Sequence, residues 1–92
     1  MEILRKNTPP LYTNEMTVFR SGLENADPSR PITVFVDPCG NQAVADGNHR
    51  AFVAHISDAL PELHRRIIGR IPRDISMDPN YRKIAELKFL NK

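Results

Sequence analysis

Pro31-Ile32-Thr33-Val34-Phe35-Val36-Asp37-Pro38-Cys39-Gly40-Asn41-Gln42-Ala43-Val44-Ala45-Asp46-Gly47-Asn48-His49-Arg50-Ala51-Phe52-Val53-Ala54 is the stretch from which the fold is read. Ile32 to Val36 is an unbroken run of β-formers directly after a proline, which predicts a strand. Phe35 falls opposite the Ile32, Val34, Val36 set, so both faces of that strand are expected to be buried. Asp37-Pro38-Cys39-Gly40 then places Asp at i, Pro at i+1 and Gly at i+3, the preferences of a type I turn. A second strand over about Gln42 to Ala45 would return antiparallel, and the hairpin would deliver the chain to Asp46-Gly47-Asn48-His49-Arg50. Beyond it, Phe52, Ile56, Ala59 and Leu60 recur at helical spacing, Val53 widens the stripe and Pro61 ends it, which predicts a helix from Asn48 to about Ala59.

Outward from this centre the signals are weaker. Upstream, Ile3-Leu4 is a short apolar start broken by Pro9-Pro10. From Asn14 to Asn25, Met16, Phe19 and Leu23 fall at i, i+3 and i+7 and favour a short helix, although Met16-Thr17-Val18-Phe19 also suits a strand. Ala26 to Pro31 holds two prolines and reads as a loop. Downstream, His64 to Ile71 reads as a strand with basic edges. Asp78 as a cap, Pro79 at the first helical position, and Tyr81, Ile84, Leu87 and Phe89-Leu90 at helical spacing predict a C-terminal helix over 79–90.

The chain has 92 residues with eight prolines, four glycines and no tryptophan. That length fits one domain, 1–92, with its core over about 14–73, and excludes separate catalytic and regulatory modules. Ile, Leu, Val and Phe fill 24 positions, enough for a modest core, while the prolines exclude a long helical bundle. The expected fold class is α+β, a small mixed or antiparallel sheet with packed helices. No apolar stretch approaches the roughly 18 residues that span a bilayer and no leader-like run is present, so no membrane partner and a cytoplasmic location are expected. Cys39 has no partner for an internal disulfide and no spacing for structural zinc, and no residue is expected to be a protein metal ligand.

The net charge of +2 is unevenly spread. Residues 1–46 carry four basic and six acidic groups, whereas residues 47–92 carry nine and five. Arg65, Arg66, Arg70 and Arg73 cluster in the second half, a candidate face for DNA, RNA or a protein partner. The same arginines also suit an ordinary solvated surface.

Asp46-Gly47-Asn48-His49-Arg50 lies where a strand would hand over to a helix. The first N–H groups of a helix lack internal partners and carry the positive end of its dipole, so an anion is bound there without special chemistry. Gly47 would let the backbone approach a phosphate, Arg50 would add a planar charged fork, and a protonated His49 would donate. Asp46 could orient Arg50 at i+4, accept from a ligand hydroxyl or hold a magnesium ion bridged to phosphate. Asn48 could cap the helix or bond the ligand. The five residues equally suit a structural junction, with Asp46 as cap and Gly47 as tight turn.

The PITV strand (Pro31 to Val34) followed by ADGNHRAFVA (Ala45 to Ala54) resembles the ParB/sulfiredoxin-like fold, whose members share a "PI.V" strand, a short hairpin and a box opening a helix. The resemblance covers about residues 30–72. It implies a phosphate-bearing ligand, a nucleotide with magnesium, at Asp46, Gly47, Asn48, His49 and Arg50, and association with DNA. Sulfiredoxins are similar at Gly47, His49 and Arg50 but carry their catalytic cysteine where this chain has Asn48, which speaks against sulfinate reduction. In chromosome-partitioning proteins the matching box grips CTP, and Gly47 and Arg50 agree with it. Ninety-two residues leave no space for the DNA-reading and dimerisation domains of those proteins. The ADP-dependent free serine kinases are similar at Asp46, Gly47 and Arg50, but their catalytic glutamate has no convincing counterpart, Glu15 being the only early candidate. Three readings follow: binding of a nucleotide or other phosphorylated ligand; a nucleic-acid or protein interaction module on the Arg65–Arg73 face; a metal-dependent phosphotransferase or nuclease, with catalytic residues unknown.

Overall fold

A computed structural model describes residues 9–15, 17–19, 26–27 and 29–90 of the chain. It is a small α+β domain with a mixed five-stranded sheet. In chain order the elements are β1 (Leu11–Thr13), β2 (Thr17–Phe19), β3 (Ile32–Val36), β4 (Gln42–Asp46), α1 (Asn48–Ile56), β5 (Arg65–Arg70), β6 (Arg82–Lys83) and β7 (Lys88–Leu90). The main sheet runs β5-β3-β4-β1-β6, and β2 pairs with β7 in a separate parallel two-stranded sheet.

The β3–β4 hairpin forms because its turn is satisfied from within. The Gly40 N–H donates to the Asp37 carbonyl, and the Asp37 carboxylate accepts from the N–H groups of Cys39 and Asn41. Gly40 closes the turn at φ 89°. β5 runs parallel to β3, and β1 runs parallel to β4 on the hairpin's other side. The C-terminal ends of β1 and β4 therefore point the same way, toward the start of α1.

Alternation along the strands sorts side chains to two faces. Ile32, Val34, Val44 and Leu11 pack with Ala51, Phe52 and Ala54 of α1 and with Leu63, Ile84 and Leu87. On the other face, Tyr12, Ala43 and Ile75 form a second cluster with half-buried Ile71 and Tyr81 against it. Ile32 and Val34 are buried while Thr33 and Phe35 on the opposite face are half-buried, so β3 is closed on one face, up to half-buried Val36 at its end, and only partly covered on the other.

Several sequence expectations give way here. Burial extends past the expected 14–73 core, to Leu11, Tyr12, Ile75, Ile84 and Leu87. Within 14–25, where spacing favours a helix but Met16 to Phe19 also suits a strand, Thr17–Phe19 takes the strand, and residues 16 and 20–25 lie outside the described residues. The helix expected over 79–90 is extended chain broken by one 3-10 turn, Ile84–Glu86. Spacing of three between Tyr81, Ile84 and Leu87 is met there by a single tight turn. Arg82 and Lys83 complete the sheet beside β1, and β7 pairs with β2, so ladder hydrogen bonds outweigh helical spacing. α1 ends at Ile56 rather than near Ala59, because Asp58 adopts φ 54° and Pro61 opens a separate 3-10 turn, Leu60–Glu62.

Candidate functional site

β4 ends at Asp46 and α1 begins at Asn48, with Gly47 between them at φ 107°. A Cβ on Gly47 would lie 2.5 Å from Ile32 Cγ2, a fully buried side chain. The glycine thus serves both its backbone conformation and the close approach of helix to sheet. No side chain caps α1, and its first turn holds no acidic residue. The N–H groups of Asn48, His49 and Arg50 form the positive end of the helix dipole.

The five residues of the box are brought together, but their roles divide. Arg50 donates to the Pro31 carbonyl at 2.9 Å and to Asp46 Oδ2 at 3.2 Å, the i+4 pairing that the spacing suggested. Its guanidinium clamps the start of β3 to the end of β4. Asp46 is largely exposed and does not cap the helix. Asn48 Oδ1 accepts from Thr13 Oγ1 at 2.5 Å, and Thr13 Oγ1 accepts from the Glu15 N–H at 3.0 Å. This tie fixes the end of β1, and with it Glu15, against the first residue of α1. His49 is half-buried, and its Nε2 is the one buried side-chain nitrogen or oxygen without a hydrogen-bond partner among the described residues.

Thr13 and Asn14 are the residues that sequence reasoning missed. Thr13 is fully buried, and Asn14 lines an open cavity of about 460 Å³ with Arg73, Asp78, Asn80 and Tyr81. Only the parallel pairing of β1 with β4 brings Thr13 to the helix end, and no local signal announces it.

The four arginines of the cluster differ in how they are held. Arg65 is half-buried and donates to the Pro9 carbonyl, Gln42 Oε1 and the Leu60 carbonyl, and its burial pulls its pKa down from the usual value. Arg73 pairs with Asp78 at 2.9 Å. The N–H of Asn80 and the Arg73 guanidinium hold the Asp78 carboxyl below its ordinary value. Arg66 and Arg70 remain as exposed cations on β5.

Asp37, Cys39 and Asp74 bring potential ligand atoms within 4.8 Å of one another. Both Asp37 oxygens and Asp74 Oδ1 are already engaged. Asp37 accepts four hydrogen bonds, from Cys39 N–H, Asn41 N–H, Asn41 Nδ2 and Ile75 N–H. Asp74 Oδ1 accepts from Asn41 Nδ2 and from the Ser76 N–H and hydroxyl. Asp74, with burial and Asp37 adding to it, pushes the exposed Cys39 thiol up, the opposite of an activated nucleophile. His64 is exposed and His55 packs half-buried with its ring centroid 6.3 Å from that of Phe52.

Among the described residues, no helix is long and apolar enough to cross a membrane. No family model, curated protein or solved structure matches the chain.

Proposed function

We propose that this domain binds a phosphate-bearing ligand, a nucleotide, at the N-terminus of α1, with Gly47, Asn48 and His49 as its immediate contacts. The observation that carries this reading is an uncapped helix N-terminus at the shared C-terminal end of two parallel strands, with His49, whose buried Nε2 has no hydrogen-bond partner, in its first turn. Ligands of α/β sheets gather at that end of the strands, where loops and helix dipoles converge. Arg50 contributes positive charge while held by Asp46 and Pro31, so its fork is fixed in place. The resemblance to the ParB/sulfiredoxin-like fold motivates the choice of a nucleotide over free phosphate. A magnesium ion carried by the nucleotide would find Asp46 exposed beside the site.

The test is thermal unfolding with and without ATP, ADP, CTP, GTP or pyrophosphate, each with magnesium, in wild type and in Asn48→Asp. Aspartate keeps the acceptor for Thr13 and suits the helix dipole, so the fold is retained while the phosphate is repelled. At 100 times the dissociation constant, ligand binding adds about 2.7 kcal/mol and raises the midpoint by about 10 °C or more. The expected result is a selective rise that Asn48→Asp abolishes. No rise with any compound at millimolar concentration, or a rise that survives Asn48→Asp, overturns the reading.

A further inference from the structure

β5 is the terminal strand of the main sheet, with β3 on one side and no strand on the other among the described residues. Proteins guard such edges by proline, charged side chains, bulges or shortness, because unpaired backbone groups recruit other chains. The opposite edge follows that rule, since β6 is only two residues, Arg82 and Lys83. Of these guards β5 has one bulge and its flanking arginines but neither shortness, proline nor a charge at its centre. With six residues it is the longest strand of the sheet, it contains no proline, and its centre is Ile67 and Ile68, 62% and 52% exposed.

The register explains why both isoleucines reach the surface. Val34 pairs with Ile67, but Phe35 pairs with Gly69, so Ile68 is an extra residue in β5. Gly69 accepts the Phe35 ring, whose atoms lie 2.9 Å from where a Cβ would stand. Exposed Arg66 and Arg70 flank the apolar pair.

We propose that the open edge of β5 is a docking strand for an extended acidic segment of a partner protein, which adds one more strand to the sheet. Charge selects this occupant. A second copy of β5, pairing antiparallel about Ile67 and Ile68, would bring the exposed Arg66 and Arg70 of both copies, four cations, to one seam with no acidic residue in either strand, and like charges across a pair are unfavourable. A nucleic acid would gain two phosphate contacts and leave the isoleucines uncovered. An extended segment with an apolar centre and Glu or Asp at both ends meets the backbone, the isoleucines and the arginines together.

The experiment uses the full chain and a fluorescein-labelled peptide of about eight residues, with alternating Val and Thr at its centre and Glu at both ends, read by anisotropy. Companion peptides carry Lys at the ends, or N-methyl groups on alternate residues along one backbone edge or the other. Saturable binding of the acidic peptide is expected, with the Lys-ended peptide weaker by about tenfold or more. N-methylation along one edge should abolish binding and along the other should leave it, the signature of strand addition. The Arg66→Glu, Arg70→Glu double variant, with its thermal midpoint checked, should reverse the charge preference. Equal binding of acidic and basic peptides, indifference to which edge is methylated, or no binding at millimolar peptide overturns the proposal. Displacement of the acidic peptide by polyuridylate, or a dimer that disperses in Ile67→Thr, overturns it in favour of RNA or of self-association.

Discussion

Gly40 and Gly47 both have positive φ, yet they answer to different constraints. At Gly40, φ 89°, an added Cβ would meet nothing within 4 Å, so only the backbone conformation is at stake. At Gly47, φ 107°, the same Cβ would collide with Ile32, which is wholly buried and cannot swing aside. Gly40→Ala should therefore cost about 1 kcal/mol, the ordinary penalty of a left-handed conformation. Gly47→Ala adds overpacking to that penalty and should cost about 2–4 kcal/mol. Urea unfolding of the two variants checks this, and equal losses would mean that the approach of α1 to β3 is not what Gly47 secures. Gly47 was legible in the sequence as part of a five-residue box, but its collision partner was not, because Ile32 is brought beneath it only by the fold.

Among the elements, what could be read locally is what the chain builds locally. The β3–β4 hairpin and the start of α1 depend on alternation, one turn and one glycine, all within neighbouring residues. β2, β6 and β7 are strands only because distant partners make them so, as in the pairs Thr17 with Lys88 and Tyr12 with Lys83. Helical spacing over 79–90 had no such competitor in view, whereas Met16-Thr17-Val18-Phe19 already suited a strand. Asp37 shows how one side chain joins a local element to a distant one, since its carboxylate closes the hairpin turn and also receives the Ile75 N–H at 2.7 Å. Burial pushes this carboxyl up, but the donors from Ile75, Asn41 and Cys39 outweigh it and hold it below its ordinary value. A carboxyl whose pKa is lowered on folding stabilises the fold above its unfolded value, and that contribution drains away as pH falls through the folded one. Stability should thus be full above about pH 4 and decline below it. Asp37→Asn should lower stability at neutral pH by about 2–3 kcal/mol, because an amide nitrogen now faces buried donors. It should also flatten the acid decline, leaving the same-sign contributions of Asp27 and Asp78. Urea titrations near neutral pH and below about pH 4 measure both, and an unchanged acid slope would place the pH dependence elsewhere.

For the molecule as a whole, the placement of cations separates the candidate functions. The sequence concentrates positive charge in its second half, and from composition alone four arginines over nine positions read as one electrostatic face. Folding divides them: Arg65 braces Pro9, Gln42 and Leu60, and Arg73 pairs with Asp78. Each neutralised phosphate contributes about −0.9 to the slope of log K against log salt on duplex DNA. If Arg66 and Arg70 are the cations this face offers, its slope can be no steeper than about −1.8, whereas four arginines would give about −3.6. Fluorescence titration of a short duplex over a range of salt concentrations distinguishes the two, since Arg65→Ala and Arg73→Ala should leave a shallow slope unchanged. A slope near the steeper value, reduced by those substitutions, would mean that the internal bonds of Arg65 and Arg73 open in favour of phosphate, and that the basic face rather than the helix terminus is the functional surface of this domain.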